Sequence, residues 1–238
     1  MRRYKAIVIG LGEIGKPIYR ILQETHGVEN VYGFDMAYDD APVPSAAYSL
    51  HICLPWSNQF VGIVKAYQAL YEPELTIVHS TVPIGTSDQL EAVHSPVLGR
   101  HPDMYNDIAN RYVKWFGGVK SDEASDLFKN LATHCVMDAK ETELLKLICL
   151  AKYGKDIAFA NYAKDVCEKY GFSYETVLAW DHDYNNGVPS HLRRPLIYPS
   201  LGAIGGHCVV PGTKLLNDQH PNQILDEVLQ YDYNLATK

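Results

Sequence analysis

A chain of 238 residues is long enough for one large domain or two modest ones, each with a real core. Its 47% hydrophobic and 21% charged residues are ordinary for a globular protein, and a formal net charge of -7 without a basic run excludes the electrostatic footprint of a nucleic-acid or anionic-membrane binder. Cys53, Cys135, Cys149, Cys167 and Cys208 are widely spaced with no CxxC pair, which fits reduced cytoplasmic thiols better than a disulfide framework.

The first expected element is the strand Ala6-Ile7-Val8-Ile9, entered directly from the first residues with no room for a signal region. It runs into Gly10-Leu11-Gly12-Glu13-Ile14-Gly15, after which an amphipathic helical pattern opens. That is the dinucleotide fingerprint in its proper setting: Gly10 turns the strand sharply, Gly12 lets a pyrophosphate approach the backbone, and Gly15 lets the helix pack on the strand. The phosphates would then lie at the amino end of that helix, near Glu13 and Ile14. A second strand over 31–35 ends in Asp35, a carboxylate placed to accept ribose hydroxyls. Met36 and Ala37 follow, so no adjacent arginine welcomes a 2'-phosphate, and the cofactor expected is NAD rather than NADP.

Further strands are expected over 48–54 and 75–79, with a helix over 60–70 between them and another opening near Thr86. Pro55, Ser80 and Thr81 follow these strands, on the edge where ligands of such sheets bind, and join the expected coenzyme contacts. Short strands at 115–119 and 134–137 would complete the sheet near residue 138. In the loop between, Gly99-Arg100-His101-Pro102-Asp103-Met104 offers an anion-binding arginine and a proton-relaying histidine, although turn chemistry explains Pro102 and Asp103 without either. The fold class expected is α/β: a Rossmann-type doubly wound parallel sheet (1–138) followed by a smaller all-α domain (139–238).

Residues 140–170 hold no proline, one glycine and apolar residues at helical spacing, ending at Gly171 as a C-cap. Ala151, Gly154 and Ala158 leave one side of this helix small, open either to the same domain or to a second copy in a homodimer. A short helix over 174–180, a loop over 181–199 and a final helix over 222–235 complete the chain. The Asp181-His182-Asp183 cluster reads as solvated loop rather than metal site, Arg193 and Arg194 could bind anions, and no metal is expected. Cys208 follows the flexible turn Gly205-Gly206-His207 and could present its sulfur to a ligand.

Taken in order, Gly10 to Gly15, His79-Ser80-Thr81-Val82-Pro83-Ile84-Gly85-Thr86, Glu143-Leu144-Leu145-Lys146, Ile157-Ala158-Phe159-Ala160-Asn161 and Gly205-Gly206-His207-Cys208 resemble the UDP-glucose/GDP-mannose dehydrogenase family. The resemblance implies a cytoplasmic NAD-dependent oxidoreductase in which Cys208 is the nucleophile, Lys146 stabilises oxyanion charge and Thr81 lies near the nicotinamide. Three positions depart from the family's pattern: Val97 for a glutamate, Leu150 for an asparagine and Gly212 for an aspartate. The family also continues into a second α/β domain that holds the nucleotide, so a nucleotide-sugar substrate would require a separate chain to supply that half. A catalytically impaired NAD-binding sensor or subunit, and a β-hydroxyacid dehydrogenase-like enzyme, are the alternatives.

Overall fold

The computed structural model describes residues 5–35, 44–200, 204 and 208–236. The chain divides into two compact units, Met1–Lys146 and Leu147–Lys238, and the division falls inside one helix.

In the first unit the strands are β1 (Ala6–Ile9), β2 (Val31–Phe34), β3 (Ser49–Ile52), β4 (Leu75–Val78), β5 (Val93–His94), β6 (Lys114–Gly117) and β7 (Thr133–Val136). They form one sheet in the order β2-β1-β3-β4-β5-β6-β7. All neighbours are parallel except β5 and β6, which pair antiparallel through His94 and Gly117. The reversal matters for the site, because it brings the amino end of β6 to the edge where β1, β3, β4 and β5 end.

Helices cover both faces, as a sheet buried on both sides requires. The helices are α1 (Gly15–His26), α2 (Phe60–Tyr71), the single turns α3 (Thr86–Gln89) and α4 (Met104–Asn106), α5 (Ser121–Asp126) and the long α6 (Ala139–Lys169). Alternate residues of β1 serve different cores: Ala6 and Val8 join Ile18, Leu22, Ile77, Phe116 and Phe128, while Ile7 and Ile9 join Leu50, Ile52, Phe60 and Val64. Each such side chain contributes about 1.5–3 kcal/mol when fully buried.

The second unit is helical: the rest of α6, then α7 (Glu175–Asn186), α8 (Val209–Gln219) and α9 (Gln223–Ala236). Its core joins Leu150 and Ile157 to Ile204, Val209 and Val228. A Cβ added at Gly154 would lie 3.1 Å from Val209 and 3.2 Å from Val228, so α8 and α9 make the close approach that the small residues of α6 permit.

One expectation is corrected here, and one element is added. Residues 181–186, expected as loop, extend α7 to Asn186, where Asn185 is buried and its amide clamps Arg194 through N–H···O bonds of 2.9 and 2.7 Å. The segment after Cys208 forms α8 even though it holds a proline, because Pro211 sits in the first turn, where no intrahelical N–H is needed. Met36, Ala37 and the Gly205-Gly206-His207 turn lie outside the described residues.

Candidate functional site

At the end of β1 the chain turns through Gly10, whose φ of 90° is the left-handed region that favours glycine. A side chain there would press on the Cys53 carbonyl at 2.9 Å, and one at Gly15 would meet the Gly10 carbonyl oxygen at 1.7 Å. Only Gly12 faces open space, with nothing within 4 Å of an added Cβ. Closed at Gly10 and Gly15 and open at Gly12, the loop has the shape a diphosphate needs. The amino end of α1 carries no side-chain cap and no acid in its first turn, so its positive dipole end is not already neutralised from within the helix.

Asp35 reaches this loop: its Oδ2 accepts the Leu11 N–H at 2.6 Å. The carboxylate that would hold ribose hydroxyls thus also fixes the turn. Glu13 is exposed and faces His101 at 3.4 Å, which brings the loop after β5 beside the glycine turn. In that loop Arg100 and Arg111 converge on the fully buried Asp107, and the Asp103 N–H bonds to the Arg100 carbonyl at 2.8 Å, so the turn is built by its own charged groups.

Pro55 is exposed just after β3, while Ser80 is buried and donates to the Ile52 carbonyl at 3.4 Å. Thr81 is half-buried at the head of a segment anchored at both ends. At one end His94 Nε2 lies 3.2 Å from the Ser80 carbonyl. At the other, the buried Glu143 carboxylate accepts the Gly85 N–H at 2.6 Å and the Ser87 N–H at 2.8 Å. Burial raises the Glu143 carboxyl above its usual value, and these N–H donors work against the rise. One turn further along α6, Lys146 donates to the Val97 carbonyl at 2.8 Å. The first unit therefore gathers the glycine turn, Asp35, Ser80 and Thr81 on strand ends that face one edge, with Glu143 and Lys146 fixing the loops from α6.

Cys208 belongs to the second unit, exposed, as the residue before α8. Nearby, Gly212 packs on Leu150: a Cβ at Gly212 would lie 2.5 Å from Leu150 Cδ1. Two of the departures noted in the sequence are thus one apolar contact. The third, Val97, is a buried core residue whose carbonyl accepts from Lys146. His182 is exposed in α7, Arg194 pairs with Asp181 at 3.0 Å and covers the Tyr184 ring, and no cluster of three metal-ligating side chains exists among the described residues.

Sequence reasoning missed a buried polar network behind this edge. Ser49, His51, His79, Ser95 and Lys114 are all at most 4% exposed, within strands or at their ends. Its signal was present as Ser49 and His51 alternating in an apolar strand and Lys114 inside the run Val113 to Phe116. His94, also buried, bonds Thr142 on its other nitrogen at 2.9 Å. Burial pushes His51 and His94 down to about 3 and His79 well below its usual value, so all three are neutral at physiological pH.

The fold is shared with solved structures of other proteins that are 13–18% identical to this chain. The structure is similar to UDP-D-ManNAc dehydrogenase from Pyrococcus horikoshii, with a TM-score of 0.75 and 16% identity over 97% of this chain and 68% of that one. It is also similar to 3-hydroxyisobutyrate dehydrogenase from Mycobacterium tuberculosis (TM-score 0.71, 17% identity, 99% of this chain and 94% of that one). The UDP-N-acetyl-mannosamine dehydrogenase Cap5O from S. aureus matches with a TM-score of 0.69 and 18% identity over 97% of this chain and 68% of that one. No protein-family model and no curated sequence matches the chain.

Proposed function

We propose that this chain is an NAD-dependent oxidoreductase acting on an alcohol or aldehyde of a small or sugar-like substrate. The observation that carries the reading is the glycine turn, closed at Gly10 and Gly15, open at Gly12, and tied to Asp35 through the Leu11 N–H. In it, Gly12, Glu13 and Ile14 supply the backbone that meets the diphosphate, and Asp35 takes the adenosine ribose. Pro55, Ser80 and Thr81 line the nicotinamide end. Bound there, the coenzyme supplies the hydride acceptor.

Lys146 serves as the fixed cation for oxygen charge that develops as hydride leaves, and its anchor on the Val97 carbonyl holds it for that role. Cys208, exposed before α8, serves as the nucleophile. In this reading residues 1–138 bind coenzyme, and residues 139–238 supply substrate contacts and a homodimer surface. Leu145, Ile148, Phe159 and Tyr162, exposed along one stripe of α6, are the face offered to the second copy.

The Leu150–Gly212 contact favours a second reading, in which the coenzyme site persists and catalysis is impaired. Without the asparagine and aspartate of the nucleotide-sugar dehydrogenases, a thioester on Cys208 has no carboxylate from position 212 to activate water. A third substrate class, small β-hydroxy acids, draws support from the likeness to 3-hydroxyisobutyrate dehydrogenase over most of both chains.

Isothermal calorimetry with NAD and NADP, followed by NAD reduction against panels of nucleotide sugars and hydroxy acids, separates these readings. Heat of binding with turnover that falls at least tenfold in Lys146→Ala supports the enzyme. Binding without turnover on any substrate supports the impaired reading, and no binding of either coenzyme removes both.

A further inference from the structure

Glu143 is fully buried in the second turn of α6, within the first unit. Its Oε2 accepts the Gly85 N–H at 2.6 Å and its Oε1 the Ser87 N–H at 2.8 Å, so each oxygen holds one backbone donor. The residue before it, Thr142, meets His94 Nδ1 at 2.9 Å, and His94 Nε2 faces the Ser80 carbonyl at 3.2 Å. Three residues further on, Lys146 donates to the Val97 carbonyl at 2.8 Å. The start of one helix therefore holds the loop after β4 at both ends, directly or through His94, and the loop after β5 as well.

The loop after β4 does not need Glu143 for its shape. Thr86 closes the turn on Pro83, its N–H and its hydroxyl both donating to that carbonyl at 3.2 and 2.7 Å. Val82 is buried in the core with Leu50, Ile52 and Phe60 and fixes the depth of the loop. What is left to set is where the turn sits along α6. Packing at Gly85 does not set it, because a Cβ there would reach only Lys140 Cε, at 4.0 Å. The ion pair between Lys140 and Asp88 joins the same elements at the surface, where water and salt weaken it. Among the described residues, the Glu143 carboxylate is the buried hydrogen-bonded tie between this turn and α6.

We propose that Glu143 is a positioning residue for the nicotinamide end of the coenzyme site: through the Gly85 and Ser87 N–H groups it sets Ser80 and Thr81 against Lys146. It touches no ligand itself, being fully buried. The proposal rests on the coenzyme reading of the glycine turn. Its physical basis is register: Glu143 and Lys146 lie three residues apart on one helix and share a face, so the turn and the cation are located from the same stretch of backbone. Glutamine at 143 would fill the same space with one accepting oxygen and an NH2 group that faces a second N–H. Glu143→Gln therefore releases one end of the loop without emptying the core.

Calorimetry with NAD and with ADP-ribose, which carries the same adenosine and diphosphate but no nicotinamide, tests this without a known substrate. The ADP-ribose affinity of Glu143→Gln is expected to stay within about twofold of wild type, while NAD affinity relative to ADP-ribose falls by at least about fivefold. An equal loss for both ligands, the mark of a residue that only stabilises the fold, overturns the proposal, and so does an unchanged ratio. Wild-type protein that binds neither ligand removes the coenzyme reading and this proposal with it, so the two failures are told apart.

Nitrogen-15 spectra of the wild-type protein provide a test that needs no folded variant. NAD is expected to shift the Gly85 and Ser87 amide resonances, and ADP-ribose to leave them in place. Equal shifts with both ligands, or none with NAD, overturn the proposal.

Discussion

Gly15 in the first unit and Gly212 in the second each leave no room for a side chain, but what fills the room differs. At Gly15 the obstacle is a backbone carbonyl 1.7 Å away, part of a turn whose path is fixed by β1 and α1. At Gly212 it is the tip of Leu150, a flexible side chain that could be exchanged for another. The first unit therefore has a glycine turn that backbone geometry enforces. The second has at this point a packing contact that side chains alone decide. Substitutions near Gly15 are constrained by the fold, and those near Gly212 only by their partner.

The strongest way to break this contrast is Gly15→Val, which must displace the backbone of the turn. It is expected to cost more than about 3 kcal/mol in urea denaturation and to abolish the thermal shift with NAD. A cost below about 1 kcal/mol would show that the turn yields as easily as the second unit.

Gly212→Asp should cost about 1–3 kcal/mol through crowding and burial of a carboxylate against Leu150. Adding Leu150→Asn should recover part of that, with a coupling of at least about 0.5 kcal/mol in a double-mutant cycle. Additive effects would show that the two positions do not answer to each other.

Glu143→Ala removes the acceptor from the Gly85 and Ser87 N–H groups and should cost about 1–3 kcal/mol. Acid sharpens the contrast between the units, because among the described residues the buried histidines lie in the first. His51, His79 and His94 have folded values below the unfolded value of about 6.5, so the unfolded chain takes up protons first. Stability is expected to be retained above that pH and lost as pH falls from about 6.5 toward 3. Circular dichroism with amide exchange should show β3 and β4 losing protection before α8 and α9.

Asp35→Asn has the smallest expected effect on folding, since the Leu11 N–H keeps an amide oxygen to bond. Its NAD affinity should still fall roughly tenfold, equivalent to about 1.4 kcal/mol, by calorimetry. An unchanged affinity would remove Asp35 from the coenzyme site.

Much of the first unit was legible because its signals are local. The glycine turn, the acid after β2 and the apolar strands sit at fixed spacings along the chain, and the described strands fall within a residue or two of the expected ones. β5 was not, being only two residues long. α5 was also passed over, since Ser121 to Asp126 is short and polar and gains its place from Ala124 packing on the core. In the second unit the small residues of α6 admitted either an internal or an external neighbour. Whether α8 and α9 would fill that side depended on residues more than fifty positions away. Of the loop expected over 181–199, residues 181–186 form helix instead, and Asn185 there bonds the backbone of residue 194, a pairing that helical period and turn residues do not encode.

By itself the sequence determined the α/β class, the long helix and the shape of the glycine turn, because period and glycine placement act within a few residues. Only tertiary structure decided that β6 and β7 run against the other five strands, that Leu150 and Gly212 meet, and that Lys114 lies among carbonyls and neutral rings. Those outcomes depend on which distant groups share a buried volume, where a charge without a partner or a side chain without space carries its largest cost.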